Sequence, residues 1–282
     1  MASKHYATER AIARFVASLW ILSLAGCQTL SDIERSKLYQ KQFNAGEVLY
    51  EGKCRTEAGD RIYRTVPEVE GILLLKVRPT RGDAQLRDQL WPGAAFANES
   101  YGEEYIASFL AYEQGLGDPN TAKPMQITRE MRGYLTNDRR PESRPGYAWV
   151  DVQDANGKRW RYTGSYKDVP TVSSVLIGGD GKTRIVNRFV LEKHEAPDPS
   201  PRYGVTYEDY VVPEERALWV AGGKVSIVDL STSETIAERV QYHFSWGGVA
   251  PWLRGPICPA FGGTSDGYTR KFVDQVLIPK LR

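Results

Sequence analysis

Three cysteines, Cys27, Cys54 and Cys258, are the residues of this chain that could do thiol chemistry. A thiol can form a disulfide, ligate a metal or act as a nucleophile, and its neighbours decide among these roles. Neither Cys54 nor Cys258 belongs to a Cys-x-x-Cys pair or has a histidine nearby, and Cys258 stands in an apolar, loop-like stretch. The sequence around this pair therefore gives no support to a metal site or an activated thiol.

Two histidines, His194 and His243, could serve a catalytic or metal site in the domain that follows the N-terminal segment. His194 lies in a charged stretch, which is typical of solvated surface. His243 lies on a predicted strand, where it is either a hydrogen-bonded sheet residue or part of a groove. The chain lacks His-Glu-x-x-His and also Ser-x-x-Lys followed by Lys-Thr-Gly. The sequence therefore predicts no catalytic residue, no cofactor and no metal ligand.

The N-terminal segment has the layout of a secretory signal peptide. Lys4, Arg10 and Arg14 precede an uncharged run from Phe15 to Ala25 of about 11 residues, where a membrane span needs ~20. Cys27 closes this run. We therefore expect residues 1–26 to be removed on export.

The four residues Leu24-Ala25-Gly26-Cys27 at the end of this run resemble the lipobox of bacterial lipoproteins. The resemblance implies cleavage after Gly26 and attachment of diacylglycerol and an amide-linked acyl chain, such as palmitate, to Cys27. Gln28 replaces the Asp that favours retention in the inner membrane, which implies a lipid anchor in the outer membrane with the domain facing the periplasm. The alternative is an ordinary cysteine after a signal peptide that is cut elsewhere.

The charge balance of the chain argues against a nucleic-acid partner. The formal net charge is +2, and the signal peptide carries this excess, so the mature chain is close to neutral. The hydrophobic fraction of 41% and the charged fraction of 26% of the full chain are ordinary for a folded protein. We expect a lipid-attachment site and short helix over residues 27–45, followed by a single α+β periplasmic domain over residues 46–282.

Export to an oxidising compartment predicts a disulfide between Cys54 and Cys258, the pair that remains when Cys27 is acylated. A metal pair and a nucleophilic thiol are the alternatives. A disulfide would tie the start of the domain to its end.

The apolar pattern predicts strands joined by tight turns over most of the chain. The predicted strands are Glu47–Tyr50, Gly71–Val77, Ala148–Val152, Arg159–Tyr162, Val172–Ile177, Arg184–Leu191, Val225–Leu230 and Thr235–Phe244. On the last strand, Ala237, Arg239, Gln241 and His243 are predicted to share a wetter face.

Helices are predicted near both ends of the domain. One begins at a capping box at Ser31, runs to about Phe43 and is ended by Gly46, and another spans residues 102–113. A closing helix, capped by Ser265 or Asp266, has an apolar stripe that is expected to be buried. The members of this stripe are Phe272, Val273, Val276 and Leu277. The predicted fold class is α+β, mainly an antiparallel β-sheet or sandwich with helices near both ends of the chain.

The last third of the chain carries the residue-level hint of binding. Its Tyr and Trp residues and its glycines either form an adaptable surface for a protein or glycan, or fill the core. The stretch from Arg202 to Phe244, followed by Trp252 and Cys258, is similar to a group of uncharacterised proteobacterial envelope proteins, a resemblance that implies no activity.

These observations together predict a lipid-anchored, non-enzymatic envelope lipoprotein that binds the membrane through its anchor and a protein or glycan partner in the periplasm. One alternative is an immunity lipoprotein that blocks a toxin delivered to the periplasm. Another is a periplasmic hydrolase that acts on cell wall or glycan and uses one of the two histidines.

Overall fold

The computed structural model describes residues 32–115, 134–137, 140, 143–172, 179–260 and 268–281. The chain divides into two compact units, Met1–Val48 and Leu49–Arg282. The predicted signal peptide, Cys27 and the predicted caps at Ser31 and at Ser265 or Asp266 lie outside the described residues.

The first helix, α1, covers residues 32–56 and is longer than the sequence pattern predicted. Gly46 does not end it, and the predicted strand Glu47–Tyr50 is wrong because these residues are helical. A single glycine costs about 1 kcal/mol in a helix interior, which neighbouring contacts readily offset. None of the described helices is long and apolar enough to cross a membrane.

The last turns of α1, from Leu49 onward, belong to the second unit and contact the rest of it through side chains at helical spacing. The Tyr50 ring stacks on the Phe244 ring with centroids 5.9 Å apart. One turn further on, Lys53 Nζ lies 2.8 Å from a carboxylate oxygen of Glu215, and Cys54 forms a disulfide. Because side chains three and four residues apart share a helix face, these contacts hold the chain helical beyond Gly46.

The described residues form thirteen strands and four further helices, which we number in chain order. The strands are β1 Gly59–Ile62, β2 Val66–Val69, β3 Gly71–Leu74, β4 Tyr112–Gln114, β5 Tyr134–Thr136, β6 Trp149–Gln153, β7 Arg159–Val172, β8 Thr183–Glu195, β9 Tyr203–Tyr210, β10 Val220–Asp229, β11 Glu234–Phe244, β12 Ile257–Cys258 and β13 Leu277–Pro279. The helices are α2 Asp83–Arg87, α3 Glu103–Leu110, α4 Pro213–Ala217 and α5 Tyr268–Val276, with 3-10 turns at Pro92–Phe96 and Pro251–Leu253.

Nine of these strands form one sheet in the order β1-β11-β10-β9-β3-β6-β7-β8, with β12 also paired to β11. The pairings are antiparallel except those of β3, which is parallel to both β6 and β9. The prediction of an α+β fold built mainly on antiparallel sheet is confirmed. The predicted hairpins β6–β7 and β10–β11 are present, and β7 runs on to Val172, which pairs with Thr183 of β8.

The C-terminal helix α5 packs its predicted stripe into the core. Phe272, Val273 and Val276 have no exposed surface, as predicted. Leu277 is also fully buried, but it begins β13, which pairs in parallel with β2. The closing segment is therefore a helix followed at once by a short strand.

The predicted wetter face of β11 is buried, so this prediction is wrong. Arg239, Gln241 and His243 are each 1% exposed or less. The turn Pro92–Phe96 covers this face, and the Gln241 amide donates a hydrogen bond of 2.7 Å to the carbonyl oxygen of Ala95. Polar side chains are buried here because the covering segment supplies carbonyl groups that need donors.

The predicted disulfide between Cys54 and Cys258 is confirmed, with Cα atoms 5.8 Å apart. It joins the last turn of α1 to β12, which pairs with Tyr242 and His243 of β11. The end of α1 is thereby fixed to one edge of the large sheet.

Candidate ligand-binding site

The two histidines do not meet. His194 lies on β8 opposite Arg161 and is exposed, whereas His243 lies on β11 at the other side of the sheet and is buried. The Nδ1 atom of His243 is 3.0 Å from the carbonyl oxygen of Ala94, and its Nε2 atom is 3.3 Å from that of Arg254. Burial lowers the pKa of His243. Because both ring nitrogens face backbone oxygens, His243 has no nitrogen to offer a substrate.

A cavity of about 170 Å³ lies beyond the carboxyl end of β3. Its wall combines one buried arginine, several aromatic rings, one buried carboxyl group and one partly buried carboxyl group. The residues that define its chemistry are Arg78, Trp91, Phe96, Glu99, Tyr207 and Asp209. We call it the Arg78 cavity.

The guanidinium group of Arg78 lies between two rings. Its Cζ atom is 3.8 Å from the centroid of Phe96 and 4.0 Å from that of Tyr207. The side chain is only 6% exposed. A desolvated cation over an aromatic face gains about 2 kcal/mol, so the two rings hold the guanidinium in one plane.

The edge of this guanidinium is largely unsatisfied. Nη1 lies 3.5 Å from Oδ1 of Asp209, which is an ion pair at the outer limit of a hydrogen bond. Within the described residues, Nε and Nη2 of Arg78 have no hydrogen-bond partner. An unsatisfied buried donor costs about 1–3 kcal/mol, and more when it is charged. These two donors therefore need an explanation.

Two carboxyl groups lie at the cavity, and burial raises the pKa of each. Desolvation raises the pKa of Asp209, and the positive charge of Arg78 partly opposes this shift. Desolvation also raises the pKa of Glu99, whose carboxyl group accepts a hydrogen bond from the backbone N–H of Thr269. Glu99 is thus held by the backbone, whereas Oδ1 of Asp209 has no hydrogen-bond partner in the described residues.

The wall that carries Phe96 is fixed by hydrogen bonds from the sheet and from α4. Arg216 Nη2 donates to the carbonyl oxygen of Pro92 over 3.3 Å, and His243 and Gln241 serve those of Ala94 and Ala95. Donors from three residues thus hold one short turn, so the cavity is formed in advance of any ligand.

A glycine of β10 lets Phe96 approach the sheet. A Cβ atom at Gly223 would lie 2.5 Å from the Phe96 ring, closer than carbon atoms can pack. The position of Phe96, and through it one side of the Arg78 stack, depends on this missing side chain.

The sequence contains only a weak indication of this site. Arg78 stands between an apolar strand and Pro79, and only its charge so close to a buried strand could have drawn notice. Its partners come from distant parts of the chain. Tyr207 is one of the aromatic residues of the last third, for which the sequence predicts either a binding surface or a place in the core.

One sequence pattern was also missed. Gly263-Thr264-Ser265-Asp266-Gly267 fits the Gly-x-Ser-x-Gly pattern of serine hydrolases, which the interpretation of Ser265 as a helix cap left out. These residues lie outside the described part of the chain.

Comparisons with known proteins give no relative to transfer a function from. No protein-family model, no curated protein and no solved structure matches the chain. In the described parts of the chain, no group of three or more His, Cys, Asp or Glu side chains could hold a metal ion.

Proposed function

We propose that this protein is an exported, lipid-anchored binding protein that holds a ligand of the cell envelope, free or borne by a protein or glycan partner, in the Arg78 cavity. The observation that carries the binding role is the pair of unsatisfied donors on a guanidinium that is only 6% exposed. A preformed cavity with a few convergent polar groups is the usual form of a ligand site.

The composition of the cavity wall supports binding over nucleophilic catalysis. Its described lining residues include no histidine, cysteine or lysine, and the hydroxyl of Ser100 has no such base beside it in the lining, which offers only the carboxyl groups of Glu99 and Asp209. His243 lies behind the wall with both nitrogens turned to carbonyl oxygens. The side chains of the cavity therefore fit recognition better than covalent chemistry.

The disulfide supports the proposed compartment. A disulfide between residues 204 positions apart persists where the environment is oxidising, as in the periplasm. Together with the resemblance of Leu24-Ala25-Gly26-Cys27 to a lipobox, it favours export and acylation at Cys27. Three acyl chains would hold the protein at the membrane essentially permanently, since one alone binds only marginally.

The anchor is tested by labelling cells with radioactive palmitate. We expect label in the wild-type protein and in a C54S/C258S double variant, and none in C27A. We also expect C27A to leave the outer-membrane fraction. An unlabelled wild type, or a C27A variant that fractionates like the wild type, would overturn the anchor.

The binding role is tested separately by protein-observed NMR of the full chain in detergent. A panel of small neutral and charged aromatic compounds should contain members that shift the signals of Arg78, Phe96 and Tyr207 together. If no compound shifts these signals, the cavity is not a binding site.

A further inference from the structure

We propose that the free edge of Arg78 binds a carboxylate, and that the Arg78 cavity takes a small monocarboxylate whose apolar part is about the size of one aromatic ring. The inference rests on the proposed binding role and names its ligand class. It follows from a comparison of arginines within the molecule.

Two other arginines show how this protein uses the same pair of atoms. Arg161 donates from Nε to Oδ1 of Asp151 over 2.7 Å and from Nη2 to Oδ2 over 3.0 Å. Arg202 likewise donates from Nε to Oδ1 of Asp229 over 3.2 Å and from Nη2 to Oδ2 over 2.8 Å. In both cases Nε and Nη2 form a side-on fork that matches the two oxygens of one carboxylate. Arg78 has the same fork, but its Nε and Nη2 are closed to solvent and have no hydrogen-bond partner in the described residues.

The stacking of Arg78 fixes the direction from which a ligand can approach. Phe96 and Tyr207 cover the two faces of the guanidinium, so its remaining donors point outward in its own plane. A planar acceptor with two oxygens fits this edge. Arg216 also has an unpaired Nε and Nη1, but its Nη2 donates to two carbonyl oxygens and it does not line the cavity.

The charges around the fork favour a single negative charge over a dianion. Arg78 already faces Asp209, and Glu99 lies on the same wall. A phosphate would bring up to two charges toward these acids, whereas a carboxylate brings one. Arg81 lies over the Tyr101 ring at 4.7 Å and adds a second cation to the lining.

The size and lining of the cavity limit the rest of the ligand. An apolar cavity of about 150 Å³ is known to hold one benzene molecule, and the Arg78 cavity measures about 170 Å³. Trp91 and Pro92 supply apolar surface next to the fork. The space therefore suits one ring or a short branched chain beside the carboxylate.

The test uses benzoate, its neutral counterpart benzamide, and inorganic phosphate, each titrated into the full chain in detergent. We expect benzoate to bind at least about tenfold more tightly than benzamide, because only the carboxylate satisfies both donors. R78K keeps a positive charge but loses the fork, so it should weaken benzoate by at least about tenfold. The matched control is R161K, because Arg161 is also a stacked arginine but its fork is already filled by Asp151. This variant should leave benzoate binding unchanged.

A second readout keeps the proposal testable if R78K does not fold. In the wild type, the Nε–H resonance of Arg78 should shift with benzoate and stay in place with benzamide. Equal binding of benzoate and benzamide would overturn the proposal that the ligand is a carboxylate, and so would tighter binding of phosphate than of benzoate. Either result would leave the proposed binding role intact. If none of the probes binds and the fragment panel also fails, the binding role itself is lost.

Discussion

Two stacked arginines divide this molecule into a region that is complete by itself and a region that is not. Arg161 lies 3.7 Å from the Trp149 ring centroid, and Asp151 fills its fork. Arg78 is stacked on two rings, and nothing in the described chain fills its fork. The guanidinium fork is a structural element at Arg161, where the chain supplies the carboxylate. At Arg78 the chain supplies none to the fork, and the same group is a candidate binding site.

Strand register explains why the two regions differ. Asp151 of β6 and Arg161 of β7 are direct cross-strand partners, so the sheet itself brings the acid to the fork. Arg78 follows β3 and has no partner in register. Asp209 reaches it from β9 at 3.5 Å, on Nη1 and not on the fork.

The largest effect is expected from D151A, which empties the internal fork. Asp151 has no exposed surface and also pairs with Arg159, so its loss leaves Arg161 without its partner and Arg159 with Asp198 alone. We expect the free energy of unfolding to fall by about 3 kcal/mol or more, measured by urea denaturation. D168N changes an exposed acid on β7 and should cost less than about 0.5 kcal/mol. A D151A cost as small as that of D168N would break the comparison.

Reduction of the disulfide should destabilise the side of the sheet that borders the Arg78 cavity. Removing a native disulfide typically costs about 2–5 kcal/mol. Because Cys258 lies on β12, which pairs with β11, amide exchange should rise first in β11 and β10, and less in β6 and β7. Equal acceleration in both pairs, measured by exchange and mass spectrometry on the C54S/C258S variant, would contradict this order.

A pair of glycine substitutions tests the two aromatic stacks. A Cβ atom at Gly223 would strike the Phe96 ring at 2.5 Å, and one at Gly71 would strike the Trp149 ring at 2.1 Å. Phe96 is buried, so G223A should cost about 1–3 kcal/mol and weaken ligand binding in the cavity. Trp149 is partly exposed and can swing aside, so G71A should cost less and leave binding unchanged. Equal losses of binding would show that the stack at Arg78 is not specific.

The smallest effect concerns pH and separates the buried histidine from its surroundings. Burial lowers the pKa of His243 from 6.5, so the unfolded chain binds a proton more readily than the folded one. Stability from this group is present above about pH 6.5 and falls as the pH drops, by at most about 1.4 kcal/mol per pH unit. Asp209 and Glu99, whose pKa values are raised, act in the opposite sense.

The measurement for this prediction is therefore the difference in slope between the wild type and H243Q. Unfolding free energies between pH 5 and 7 should fall more steeply with acid in the wild type, because only that chain carries the histidine. Parallel slopes would show that His243 does not carry the pH dependence.

The sequence predicted those parts of the fold whose causes are local. The stripe of Phe272, Val273 and Val276 followed from helical spacing, and the β10–β11 hairpin from alternation around a turn. Gly46 misled because contacts of Tyr50, Lys53 and Cys54 hold α1 together beyond it. A local propensity cannot register such contacts.

The site escaped prediction for the same reason. The face of β11 that carries Gln241 is buried by the turn Pro92–Phe96. In this turn the carbonyl oxygen of Ala95, 146 residues away in sequence, accepts a hydrogen bond from the Gln241 amide. The Arg78 fork is informative only when Phe96 and Tyr207 are seen to close its two faces and Asp151 is seen to fill the other fork. The disulfide was predictable because the chain offers one remaining cysteine pair.

The sulfur bridge between α1 and β12 also decides how this protein would carry a mechanical load. A pull on the chain ahead of Cys54 reaches β11 by two routes, along the backbone to β1 and across the bridge to β12, and both of these strands are hydrogen-bonded to β11. The 203 residues between the two cysteines cannot be drawn out while the bridge is intact. Tension between the two chain ends would lengthen only the segments outside the loop. The hydrogen bond from Thr269 of α5 to Glu99 is the cavity contact that such tension would reach.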